Sequence, residues 1–375
     1  MMPAPGGPDA VDAHRAYTTM IEAARPFRAG TRFRALPDVR FLVDGGRIRA
    51  PGDLLPGPDD TSAEQYGARL DEELEGRGHL LLVEQPLVLD PVLWAQVRSL
   101  VTPLWERAGY PVLPVVTELA FGEGITEDDA PAHEPLHSTL LWVLHGTVTA
   151  VPRDARAGGA LTAGPGDLLH RPAGRPHRLS FGSRTLALRL RVARDPRLLT
   201  AAVKDAVAGL VQERRGRDDV PYLALPPDEI PGAPVVPELA RTAEEMRETT
   251  EAPGLDRVLG TAWARRVSAA GLEPAPDARP SVRLSPDDRL RPASAVVRMP
   301  LDEGDTWLWA VGGHAFSVRG ALGERVVARL RRGDTPTVRQ LCTVAGPDRE
   351  AAVTALLEKL YTLRGVQLDG REDTA

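Results

Sequence analysis

The sequence predicts a mostly β protein with flanking helices: a central β-barrel or jelly-roll segment, a helical segment after it, and a C-terminal winged-helix pattern. Three observations carry this. Between Pro114 and Ala193 short apolar runs alternate with turn residues, as in barrels and double-sheet folds. From Leu198 to Arg214 and from Ala240 to Ala270 apolar residues recur at helical spacing, on either side of a Pro-rich linker from Pro221 to Pro237. From Ser294 onward strand-like runs precede three short helices and a closing strand.

Taken in order, Ala13 to Ala24 fits a short helix, and Asp38 to Arg49 fits two strands around an Asp-Gly-Gly turn. Thr61 and Ser62 can cap a helix from Ala63 to Glu75, with Leu70 and Leu74 on one face. His79 to Val83 reads as a buried strand. Leu93 to Trp105 is a helix with Pro91 ahead of it. The central segment offers strands at Val115 to Phe121, Thr139 to His145, Val148 to Pro152, Asp167 to Arg171 and Thr185 to Val192. In the C-terminal part, Ala295 to Met299, Trp307 to Val311 and Ala315 to Val318 are strand-like. Helices follow at Gly323 to Leu330, Val338 to Val344 and Arg349 to Arg364, with Gly365 as C-cap and Val366 to Leu368 as the last strand.

With 375 residues the chain is too long for one core and should hold two or three domains. A formal charge of -6 gives no electrostatic reason to expect nucleic acid. Arg325, Arg329, Arg331, Arg332 and Arg339 could form a basic face, but Glu324 and Asp334 among them point to a solvated or partner-binding surface. A single cysteine, Cys342, excludes an internal disulfide and a cysteine-rich zinc site. No apolar run approaches the roughly 20 residues that span a bilayer, and Met1 to Asp12 lacks a basic then apolar leader. A cytoplasmic location, away from membranes, is the expectation.

Chemistry concentrates in the central segment. Gly166 to His177 reads Gly-x5-Pro-x-Gly-x2-His, which places a histidine just past a tight turn between two strands. Five of the 8 histidines, His133, His137, His145, His170 and His177, fall in this segment. His133 and His177 could meet across adjacent strands and offer two imidazoles to a transition metal. His145 and His170 read as surface or packing residues, and Glu127, Asp128 and Asp129 as a solvated loop. Gly122 to Gly124 lacks the context of a nucleotide loop.

The stretch Val115 to Val192 resembles the JmjC-like cupin oxygenases of the ribosomal-protein hydroxylase type. Pro165 to His177 matches that family's second motif, Ser183 to Leu190 resembles its next strand, and His133 to Val148 stands where its first motif belongs. Val39 to Arg49, Gly78 to Val83 and the winged-helix pattern follow the family's order. This resemblance implies a double-stranded β-helix core at 113–195, flanked by helices and strands at 1–112. It also implies a helical dimerisation segment at 196–290 and a winged-helix-like domain at 291–375. It implies Fe(II) and 2-oxoglutarate, a peptide or protein substrate, and a homodimer.

Three departures lie in the first motif: Pro135 at the carboxylate-ligand position, Val143 at a glutamine position, and Thr147 with Val148 in place of a basic pair. His133 and His177 are then the expected metal ligands. Glu134, His137 or an exogenous ligand would fill the vacancy, and Arg189 or Arg191 would take the cosubstrate carboxylate. The alternative expectation is a cupin that has lost its metal and works as a peptide-binding or scaffold protein.

Overall fold

The computed structural model describes residues 11–30, 37–128, 136–153, 159–175, 177–215, 237–301 and 305–369. Helix α1 (Ala13–Arg28) begins where the Asp12 side chain accepts from the His14 and Arg15 amides, and it buries Tyr17, Met20 and Ala24 along one stripe. Strands β1 (Asp38–Val43) and β2 (Gly46–Ile48) form the expected hairpin. Its corner residues Asp44 and Gly45 sit at φ 47 and 79, the two positive angles that a twisted two-residue turn requires. Helix α2 (Ala63–Glu73) starts at Ser62, whose hydroxyl accepts from the Gln65 amide. After β3 (His79–Glu84), helix α3 (Pro91–Ala108) is capped by Asp90 with proline in its first turn.

Eight more strands follow: β4 (Val116–Glu123), β5 (Thr126–Asp128), β6 (His137–His145), β7 (Val148–Pro152), β8 (Leu161–Ala163), β9 (Leu168–Arg171), β10 (His177–Phe181) and β11 (Thr185–Ala193). They form two antiparallel sheets, seven-stranded in the order β2-β1-β3-β4-β11-β6-β9 and four-stranded in the order β5-β10-β7-β8. Leu80, Leu82, Leu141, Val143 and Ala187 of the large sheet meet Val148, Ala150, Leu179 and Phe181 of the small one in a shared apolar layer. The outer face of the large sheet, with Phe41, Leu81, Phe121 and Leu188, packs on α1, α2 and α3.

Of the expected β-barrel or jelly-roll, the described strands form the double sheet and not a closed barrel. Among the described residues no strand of one sheet pairs with a strand of the other. With seven strands facing four, the outer strands β1 and β2 have no counterpart with which to close. Two strands of these sheets were not expected, β5 and β8, because each has only three residues, too few for alternation to stand out.

The helical segment comprises α4 (Pro196–Arg215), α5 (Pro237–Glu251) and α6 (Pro253–Ser268). The single helix expected over 240–270 is two helices. Ala252, ahead of Pro253, is extended at φ -84 and ψ 142, because a residue before proline is pushed out of the helical region. The Pro-rich linker lies outside the described residues except for Pro237, which opens α5.

Strands β12 (Leu290–Pro292), β13 (Val297–Pro300), β14 (Thr306–Val311) and β15 (His314–Arg319) precede α7 (Leu322–Leu330), α8 (Val338–Ala345), α9 (Glu350–Thr362) and β16 (Val366–Leu368). Trp309, Val326, Leu341 and Leu357 centre a second core. Gly365 is not the cap of α9. The left-handed position is taken by Arg364 at φ 61, and Gly365 is needed for space, since a Cβ there would meet Val311 at 2.7 Å.

The two regions are joined through α3. Trp94 and Trp105 donate their indole N–H groups to the carbonyls of Leu272 and Ala270 at 3.2 and 2.9 Å, and Arg98 donates to the Ala293 carbonyl at 2.6 Å. Burial pushes the Arg98 guanidinium down to about 10.

Candidate functional site

The candidate site is the inner face between the two sheets, near the end where β9 turns into β10. Alternation fixes which side chains point there. On β10, Leu179 and Phe181 belong to the inter-sheet layer, so His177, two residues earlier, is on the same side. On β6, Leu141 and Val143 belong to that layer, which puts Thr139 and His137 on the inner side too. The turn between β9 and β10 contains Gly174 at φ 75, the corner that the glycine in this motif predicts.

The His177 ring is held by its own turn: Nδ1 donates to the Arg175 carbonyl at 2.6 Å. In a neutral imidazole this leaves the lone pair on Nε2, the arrangement that metal-binding histidines use. His133 and Glu134 lie outside the described residues, as does Pro135. His145 stands at the far end of β6 with Nδ1 3.5 Å from Glu64, and His170 is exposed on β9.

Below the histidines the inner face is charged. Arg189 and Arg191, alternate residues of β11, share the side of Ala187 and both point inward. Register then sets their neighbours, since Arg189 lies opposite Glu118 of β4 and Arg191 lies opposite Thr139 of β6. Glu118 is fully buried and meets Arg40 at 2.9 Å, with Arg189 and Arg191 each at 3.4 Å. Glu127 lies opposite Leu179 on β5, hence inward, and grips Arg189 with both oxygens at 3.2 and 2.6 Å.

Burial works against the charge of Arg189, but Glu127 and Glu118 outweigh it and hold the guanidinium above the ordinary arginine value. Burial also opposes the charge of Glu127, whose carboxyl Arg189 nonetheless holds below the usual carboxylate range. Arg171, at the end of β9, is driven down to about 10 by burial and by the like charge of Arg189.

Sequence reasoning missed Glu118 and Glu127. For Glu118 the signal was a lone carboxylate in the otherwise apolar run Val115 to Phe121. For Glu127 the acidic run read as solvated loop, whereas the short strand β5 turns this one member inward.

No family model matches the chain, and no curated protein matches it. Solved structures do. This chain is similar to the ribosomal oxygenase YcfD of Escherichia coli. The two are 16% identical over 98% of this chain and 91% of that chain, with a TM-score of 0.47. The YcfD complex with cobalt and 2-oxoglutarate gives the same identity, coverage and TM-score, 16%, 98%, 91% and 0.47. The EutQ protein of Clostridium difficile is 16% identical over 21% of this chain and 57% of that chain, at a TM-score of 0.18. At such identity and superposition, ligand and substrate have to be argued from this chain's own side chains.

Those side chains fit a metal in part. His177 has the tautomer and the inward position of a ligand, and His137 shares the inner side. Among the described residues no three His, Cys, Asp or Glu side chains converge as a metal-binding group. At Arg189 a free dicarboxylate would have to displace one of the two carboxylates, Glu118 and Glu127, that hold the guanidinium.

Proposed function

We propose that the chain is a JmjC-like cupin oxygenase that uses Fe(II) and 2-oxoglutarate to modify a side chain of a peptide or protein. His133 and His177 would hold the metal, with Glu134 or His137 completing its shell, and Arg189 or Arg191 would face the cosubstrate. The observation that carries this reading is His177: it points between the sheets from the start of β10 and donates Nδ1–H to the Arg175 carbonyl, the backbone anchoring that metal-binding histidines use. In the same reading residues 1–112 flank the core at 113–195, residues 196–290 form a dimerisation segment, and residues 291–375 form a winged-helix module. A homodimer through α4 and α5 is supported by the exposed Leu199 and Val203 on α4. The described helices include none long and apolar enough to cross a membrane. We place the protein in the cytoplasm.

A second reading, a metal-free cupin that binds a peptide or serves as a scaffold, is favoured by one observation. Glu127 and Glu118 occupy Arg189, the cation a cosubstrate would need.

Iron content after anaerobic loading, together with calorimetric titration of 2-oxoglutarate, separates the two. The oxygenase reading expects bound iron that His177→Ala loses. The Pro135→Asp variant serves as the comparison with a restored carboxylate. Absence of both iron and 2-oxoglutarate binding from the unaltered chain would refute that reading and leave the binding protein.

A further inference from the structure

The three-stranded sheet of the C-terminal region runs in the order β13-β14-β15, so β15 pairs with β14 alone. With six residues β15 is the longest edge strand among the described residues, where every other edge strand has three or four. The hairpin turns through Gly312 and Gly313, both at positive φ, and closes on the pair Val311 and His314. From that pair the ladder alternates, so His314, Phe316 and Val318 exchange hydrogen bonds with β14. The N–H and C=O groups of Ala315, Ser317 and Arg319 therefore point away from it. Among the described residues no other backbone segment bonds to them.

Edges are ordinarily blunted by brevity, proline, a bulge or a charge within the strand. The opposite edge, β13, has four residues and ends in Pro300. β15 has no proline, its register runs without a shift, and its arginine stands at the very end. The face beside this edge is apolar and half covered: Trp309 and Val311 of β14 are buried in the second core, whereas Phe316, Val318 and Leu322 are only partly buried against it. A further strand laid on β15 would complete that layer with its alternate side chains. On the other face Ser317 and Arg319 are exposed, and Arg319 has no ion pair among the described residues.

We propose that the free edge of β15 is a docking site for an extended peptide segment of a protein partner, which adds a fourth strand to this sheet. Main-chain hydrogen bonds to Ala315, Ser317 and Arg319 hold the segment. Alternate apolar side chains lie over Phe316 and Val318, and an acidic residue on the other face meets Arg319. The site is on a different sheet from His177 and uses no metal, so it stands whether the partner is modified or only held.

The test selects random peptides of about 12 residues, displayed on phage, against the immobilised full chain, with counter-selection against Ser317→Pro. Proline at 317 removes an N–H that faces the free edge and leaves the bonds to β14 in place. Selected peptides should alternate apolar residues and carry at least one Asp or Glu. By fluorescence anisotropy they should bind Ser317→Pro at least about tenfold more weakly than the unaltered chain, and Arg319→Glu roughly fivefold more weakly. Bound peptide should slow hydrogen exchange at the Ala315, Ser317 and Arg319 amides. Failure to enrich any peptide over Ser317→Pro overturns the proposal, as do selected peptides that leave exchange at these amides unchanged. Light scattering that shows Ser317→Pro turning a dimer into a monomer would assign the edge to a second copy of this chain, which also overturns it. Should Ser317→Pro fail to fold, Arg319→Glu takes its place in the counter-selection, and equal affinity for that variant and the unaltered chain is then the refuting result. Iron loading and His177→Ala bear only on the oxygenase reading, so the two failures are distinguishable.

Discussion

Replacing Glu118 with glutamine tests whether the charged inner face holds the two sheets together or merely tolerates its own charges. Glu118 is 0% exposed and stands 2.9 Å from Arg40 and 3.4 Å from both Arg189 and Arg191. At an effective dielectric constant of about 20, an ion pair at such a distance carries roughly 5 kcal/mol of gross attraction, most of it offset by desolvation of the ions. Glutamine keeps the shape and removes the charge, so the desolvation of the arginines stays while their partner goes. Arg189 keeps Glu127, and Arg40 keeps Glu84 at 3.7 Å, but Arg191 has no other ion pair among the described residues. Breaking a buried pair from one side costs about 3–5 kcal/mol. The side chains of Arg40 and Arg191 are each 29% exposed, which places the expectation near the lower end, about 3 kcal/mol. Calorimetric melting should show a Tm lower by about 5–10 °C. A Glu118→Gln protein within about 1 kcal/mol of the unaltered chain, at unchanged denaturant slope, would refute this account.

Two further outcomes are expected. His79 is stacked between Phe41 and Phe121, its Nε2 buried without a partner, and burial lowers its affinity for a proton. The unfolded chain takes up this proton first, so stability should fall as pH drops below about 6.5, the ordinary histidine value, and continue to fall towards the lowered folded value. His79→Phe should flatten that part of the pH profile of the urea midpoint, and an unchanged slope would count against it. Asp90 caps α3 through the Val92 and Leu93 amides and also binds Arg15 of α1 at 2.6 Å. Asp90→Asn, which keeps a cap and loses the ion pair, should cost less than about 1 kcal/mol, and Asp90→Ala about 1–2 kcal/mol. Equal losses in denaturant unfolding would mean that the cap contributes nothing.

Local chemistry was legible wherever one residue type settles the backbone. Asp44 and Gly45 announced the first hairpin, Ser62 and Pro91 the starts of two helices, and Pro172 with Gly174 the corner before His177. The break at Pro253 was equally local, yet it was overridden by the apolar spacing on either side of it. The inward position of His177 followed once β10 was known to begin there, because alternation is a property of any strand.

Whether the sheets close, and what sits between them, depended on pairings between distant segments. By itself the sequence determined the strands, caps and turns and the family resemblance carried by Pro165 to His177. Only the tertiary structure decided that seven strands face four without closing, and that Glu118 and Glu127 converge on Arg189. The physical reason is register. A carboxylate 71 residues from its arginine on β4, or one 62 residues away on β5, becomes its partner only through the strand pairing that sets them side by side.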